Sequence, residues 1–298
     1  MLRQCAVALG IMSLQIAPAS AETDWSIGQA IDAVIENAIV PSLEDYSLKA
    51  TATVASMDAL CAEGGPVKLA EARDQFSTLV TSWGTVEFLR LGPLMQENRL
   101  ERTLYWPDRK GRGLRQVQRA VSSEAPEVVE VEALSGQSVA VQGLSALEFV
   151  LFGTDSGTLE TALGHRCAYG EAIAQNLANV AAETLEAWQA DDGIAALWRN
   201  PSAENPLFRD ENEQLRAFLK ILGDGAEVMR SQRLDPFLTS DPFNHKRALF
   251  WRSGATMASL SGNFEGMSKL VEASKLEALV DGNNARLTDG MRFELANA

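Results

Sequence analysis

Glu148 and Arg90 are the two side chains in this sequence that are hardest to leave in an apolar setting. Glu148 lies in the run Ser145-Ala146-Leu147-Glu148-Phe149-Val150-Leu151-Phe152. A carboxylate there costs several kcal/mol to bury unless it is paired or hydrogen-bonded. Arg90 falls at the end of an apolar helical seam and poses the same problem with the opposite sign. A polar pocket shared between helices answers both needs, so the expected arrangement pairs Arg90 with Glu148. In the alternative arrangement, each reaches water on its own.

The segment from Arg99 to Arg119 is locally basic inside an acidic chain. It reads Tyr105-Trp106-Pro107-Asp108-Arg109-Lys110-Gly111-Arg112-Gly113 at its centre. Arginines among aromatics and glycines suit a carboxylate or phosphate. The competing reading is an ordered loop with a solvated face, its charges balanced by acidic neighbours, with Asp108 capping the next helix.

Much common chemistry is excluded. There is no His-Glu-x-x-His, no phosphate-cradling glycine loop, no dinucleotide fingerprint and no Cys-x-x-Cys pair. Only two histidines exist, His165 and His245. A catalytic zinc usually takes three protein ligands rich in histidine, so the material for one is poor. Both histidines read as surface or locally hydrogen-bonded groups.

These residues need helices to position them. After Pro66, the apolar positions Leu69, Ala72, Phe76, Leu79, Trp83 and Val86 recur at spacings of three and four, a bundle seam. Arg90 is the next seam position, and Gly92-Pro93 stops the helix. A second long helix is expected over 159–190, with Leu163, Cys167, Gly170, Ala174, Leu177, Ala181, Leu185 and Trp188 inward. Residues 24–63 read as two helices or one kinked at Pro41, with Ile27, Ile31, Val34 and Ala38 buried. A shorter helix is expected over 138–152, and further helices near 211–230, 244–263 and 265–279. Asn200-Pro201 to Asn205-Pro206 is the linker candidate.

The N-terminus reads as a bacterial secretory leader, residues 1–21. An apolar stretch from Cys5 to Ile16 precedes Ala19-Ser20-Ala21, a signal peptidase pattern. That stretch is shorter than the ~20 residues needed to span a bilayer, and no later segment approaches that length. Of the three cysteines, Cys5 leaves with the leader. Cys61 and Cys167 remain, and an even pair in an oxidising compartment points to a disulfide, two buried thiols being the alternative. The formal charge of −14 argues against nucleic acid or an anionic membrane as the main partner.

Several of these segments together resemble the imelysin family. Gly143-Leu144-Ser145-Ala146-Leu147-Glu148, its apolar run and Gly153 are similar to that family's Gly-x-His-x-x-Glu signature, with Ser145 at the histidine position. Phe88-Leu89-Arg90-Leu91-Gly92-Pro93 with Trp106-Pro107-Asp108, and Cys167-Ala168-Tyr169 leading to Asn176 and Trp188, also look like its members. Trp251-Arg252-Ser253-Gly254 matches a later segment more weakly. The resemblance covers roughly residues 25–275.

It implies an all-α fold of two antiparallel helical bundles, here 22–200 and 201–298. The short stretch after Lys275 leaves open whether the second is complete. It implies an envelope location, agreeing with the periplasmic placement that the leader implies. It implies a metallopeptidase or an iron-regulated envelope protein, with a divalent metal or iron as the group concerned and Glu148 as its one candidate ligand.

Serine is a poor substitute for imidazole at a metal. The expected function is therefore a non-peptidase protein binding a small ligand or envelope partner in an iron-uptake-related process. Its pocket would use Gly143, Ser145, Glu148, Arg90 and Asp108. One rival is a metallopeptidase with Glu148 as ligand or base and His165 or His245 brought in by folding. Another is a helical module that docks an envelope redox protein.

Overall fold

A computed structural model describes residues 25–161, 164–280 and 282–297. The expected leader, residues 1–21, and Leu163 lie outside the described residues. Among the described residues the regular structure is helical, without a strand, as the all-α reading expects. The longer helices are α1 (Ile27–Val34), α2 (Val40–Glu63), α3 (Gly65–Gly84), α4 (Arg112–Ser122) and α5 (Leu144–Phe152). They continue with α6 (His165–Gln189), α7 (Glu211–Val228), α8 (Thr256–Ser274) and α9 (Gly282–Asn297).

α1 and α2 form one path. Ser26 and Gln29 make a capping box at its start. Pro41 has no N–H to give the Asn37 carbonyl, and the chain takes a π turn over Ile35–Ile39 before it. Ile31, Val34 and Ala38 are buried as the spacing requires. α2 and α3 meet at Gly64, and so short a connection makes antiparallel neighbours. α2 packs on both α3 and α6, while α3 also packs on α8, and α8 on α1 and α9. α3 therefore lies between α2 and α8.

All six expected seam positions of α3, from Leu69 to Val86, are buried. The helix itself ends at Gly84, not at Gly92. At its end it touches α8 backbone to backbone: a Cβ on Gly84 would stand 2.7 Å from the Ser259 carbonyl. Beyond it the chain turns so that Glu87 enters the core. Glu87 is 2 % exposed and accepts from Trp83 Nε1, Arg233 and Asn263. Three donor groups make this buried carboxylate tolerable, and helical continuation to Arg90 gives way to them.

Cys61, near the end of α2, is bonded to Cys167 at the start of α6. The bridge closes a separation of 106 residues, about 4–5 kcal/mol in the chain-entropy account. α6 starts at His165, later than the expected 159, after a 3-10 stretch over Ser156–Thr161. The expected linker is an ordered turn. Asn205 is 9 % exposed, donates to the Leu197 and Asn200 carbonyls, and accepts from the Leu207 and Phe208 amides.

The expected helix over 244–263 does not form as one piece. His245–Arg247 is a single 3-10 turn, and α8 begins only at Thr256. Between them Phe250 and Gly254 take positive φ, 58° and 74°. The segment 248–255 is instead irregular, and it presents its amides to Glu148.

Candidate functional site

The site is organised around the start of α5. Gly143 stands in extended conformation just before the helix. A Cβ there would lie 2.4 Å from the Thr103 carbonyl and 2.5 Å from that of Arg102, so only glycine lets the two segments meet. α6 holds the same strip from behind. Tyr169 donates to the Val141 carbonyl at 2.7 Å, and Asn176 to that of Gln142 at 3.2 Å. Arg102 ties the Gln142 and Asn176 side chains together. Glycine for clearance and buried hydrogen bonds for register thus fix where α5 points.

Glu148 is 5 % exposed. Its Oε1 accepts three hydrogen bonds: from the Arg252 amide at 3.1 Å, the Ser253 amide at 3.0 Å and the Ser253 hydroxyl at 2.9 Å. Burial pushes its pKa above the usual carboxylate value. The Ser253 amide and hydroxyl, and the Arg252 charge, work against that shift. Oε2 makes no hydrogen bond among the described residues.

A cavity of about 690 Å³ opens beside this carboxylate. Ser145 and Glu148 line it from α5, Asp108 and Arg109 from the loop before α4, and Trp251 and Arg252 from the irregular segment. Asp108 is occupied: its Oδ1 accepts from the Arg112 amide at 2.8 Å and its Oδ2 from the Leu114 amide at 3.0 Å. It caps α4, as one reading of the sequence expects, and also forms part of the wall. A third wall comes from the π turn over Met229–Leu234. There the Gln232 carbonyl accepts from Trp106 Nε1 at 3.0 Å, and Ser231 and Gln232 face the cavity.

Three of the five expected pocket residues, Ser145, Glu148 and Asp108, therefore share one cavity. Gly143 shapes it without lining it. Arg90 is elsewhere, and the expected Arg90–Glu148 pair is not formed. Arg90 is half-buried, its Nε has no hydrogen-bond partner, and the charges acting on it are led by Glu87 and Arg233. The early end of α3 explains this: leaving the helix at Gly84 carries Arg90 off the seam that faced α5. Elsewhere in the basic segment, Arg99 pairs with Glu183 at 3.3 Å.

Among the described residues neither histidine lines the cavity or hydrogen-bonds to Glu148. His165 Nε2 lies 2.8 Å from the Ala125 carbonyl, and the His245 ring meets Trp251 edge-on at 5.8 Å. Among the described residues no three His, Cys, Asp or Glu side chains converge on a point that could hold a metal ion. With a serine at 145 and Oε1 of Glu148 committed, this donor set does not fit a catalytic divalent metal. Arg252, Ser253, Trp251 and Lys246 do not stand out in the sequence as site residues, because the helix expected over 244–263 hides them. Gly254 is the signal in the sequence that weakens that helix.

No helix of the described residues is long and apolar enough to cross a membrane. No curated protein matches the chain. The solved structures similar to it include an imelysin-like protein from Psychrobacter arcticum 273-4, 20 % identical, with a TM-score of 0.74, covering 92 % of this chain and 84 % of that one. Another is a protein described as an iron-regulated protein A precursor from Parabacteroides distasonis ATCC 8503. It is 16 % identical, with a TM-score of 0.66, covering 81 % of this chain and 72 % of that one. Both likenesses establish a shared fold. The family model described as imelysin, Peptidase_M75, matches residues 39–298, and with that match over most of its length, this chain belongs to the imelysin family.

Proposed function

We propose that this protein is a non-peptidase imelysin that binds a small ligand in the cavity beside Glu148, in the bacterial envelope. The observation that carries the reading is Ser145. It stands at the motif's histidine position and lines the cavity, so a hydroxyl faces the ligand space where a metal-binding imidazole would stand. The cavity volume of about 690 Å³ is in the range of small-molecule pockets. Glu148 supports the reading too, because its bonds to Ser253 and Arg252 make it a brace for the cavity wall. The envelope location rests on the leader-like residues 1–21 and agrees with the Cys61–Cys167 bridge. The link to iron rests on family membership and on a structural neighbour described as iron-regulated.

The test is metal analysis of the purified protein together with a chelator-controlled assay on a protein substrate. The expected result is well under one zinc per chain and no chelator-sensitive cleavage. Stoichiometric zinc that is lost in Glu148→Ala, with cleavage abolished by chelator, overturns the reading in favour of a metallopeptidase. Transcript levels under iron limitation test the iron link separately, a rise being expected.

A further inference from the structure

The cavity wall carries more positive than negative charge. Arg109, Lys246, Arg247 and Arg252 all line it. Among the described residues none of the four forms a salt bridge, in a chain where acids outnumber bases by 40 to 26 and many other cations are paired. The two carboxylates on the wall, Asp108 and Glu148, offset only part of this charge. The Glu148 charge acts on Arg252, but four cations face two carboxylates. The oxygens of Asp108 and Oε1 of Glu148 are hydrogen-bonded to backbone amides and the Ser253 hydroxyl rather than to the cations. Two of the cations are gathered on one ring: the Arg252 guanidinium stands 4.4 Å and the Lys246 ammonium 5.5 Å from the Trp251 centroid. Cation–π contact helps hold them there, and like charges near one ring repel, a cost that an anion bound close to both reduces. The cations come from two chain segments well apart in sequence, so they can engage more than one anionic group. Ser145 adds a neutral hydroxyl donor with no hydrogen-bond partner of its own among the described residues.

We infer that the cavity binds a small molecule carrying more than one carboxylate or phosphate group, held by Arg252 and Lys246 on Trp251 and by Arg109 and Arg247 at the rim. The inference rests on the ligand-binding reading given above and specifies its ligand class. Arginine would take such a group through paired N–H donors, and lysine as a point charge.

The test uses the full mature chain, with tryptophan fluorescence and titration calorimetry. The probes are citrate, pyrophosphate and uncharged trimethyl citrate. Citrate or pyrophosphate is expected to bind saturably, and the one that binds names carboxylate or phosphate as the preferred group. Trimethyl citrate is expected not to bind. Affinity should fall by about tenfold or more in Arg252→Gln, and by a similar factor in the double variant Lys246→Gln/Arg247→Gln, whose side chains are exposed and whose folding is safe. It should weaken further as salt rises from about 0.05 M to about 0.5 M, because the rim charges are screened.

Binding that is equally tight in both variants, equal binding of trimethyl citrate, or no binding of either anion overturns the inference. A neutral or cationic metabolite that binds to wild type and is lost when Ser145→Trp fills the cavity removes the anion and keeps the ligand-binding reading. No binding from a mixed panel of neutral, cationic and anionic metabolites removes both.

Discussion

Glu148 and Ser253 are joined twice. The Ser253 amide and hydroxyl both donate to Oε1, at 3.0 and 2.9 Å, across a separation of 105 residues. This double bond pattern fastens the irregular segment 248–255 to α5, and Trp251 and Arg252 take their places in the cavity wall because of it.

Removing the acceptor should release that wall. Glu148→Ala leaves the two amides and the hydroxyl without their partner, and is expected to cost about 2–4 kcal/mol, measured by urea unfolding. Glu148→Gln keeps an acceptor oxygen and should cost much less. Equal losses in the two variants would show that packing, not hydrogen bonding, holds the segment.

The same carboxylate sets a pH dependence. Its folded-state pKa is raised by burial from an ordinary value of 4.5. The native protein then holds a proton that the unfolded chain has released, so its contribution to stability falls as pH rises from about 4.5 through the raised value. Glu148→Gln has no such proton. Unfolding free energies across that interval should decline less steeply in the variant. Parallel curves would contradict the assignment.

The Glu87–Arg233 pair is buried on both sides, at 2 % and 4 % exposure, with an N···O distance of 2.7 Å. Breaking it on one side strands a charge. Arg233→Met and Glu87→Leu are each expected to cost about 3–5 kcal/mol, and the double variant less than their sum. Thermal unfolding of the four proteins closes the cycle, and simple additivity would mean that the pair is not coupled.

Reducing the Cys61–Cys167 bridge, or replacing both residues by serine, should lower the melting temperature by on the order of 10 °C. Calorimetry with and without reductant checks this. The reduced wild type and the double serine variant should melt together.

Restoring the motif histidine should not create a metal centre. Ser145→His would add an imidazole beside a Glu148 already engaged by Ser253, with neither His165 nor His245 at hand. Zinc titration is expected to show at most weak binding, because structural and catalytic zinc sites use three or four protein ligands. Tight stoichiometric zinc in this variant would show that the wall rearranges to supply them.

The sequence by itself determined which faces are buried. Spacings of three and four placed Leu69, Phe76, Trp83 and their neighbours inside, and the two cysteines beyond the leader-like residues 1–21 pointed to the bridge. Gly143 and Glu148 marked the motif, with Ser145 as its departure. Such patterns are local, because helical periodicity reports how a segment presents itself to whatever lies beside it. They do not say what lies there. A buried carboxylate demands donors, and Arg90 and Ser253 were both chemically able to serve. Tertiary structure decided between them. α3 stopped at Gly84 as Glu87 turned in to Arg233 and Asn263, which took Arg90 away. The expected helix over 244–263 opened at Phe250 and Gly254, which brought Ser253 in. The opening of 244–263 also puts Trp251 and Arg252 on the wall of the cavity beside Glu148. Both departures from local preference were settled by hydrogen bonds between residues far apart in the chain.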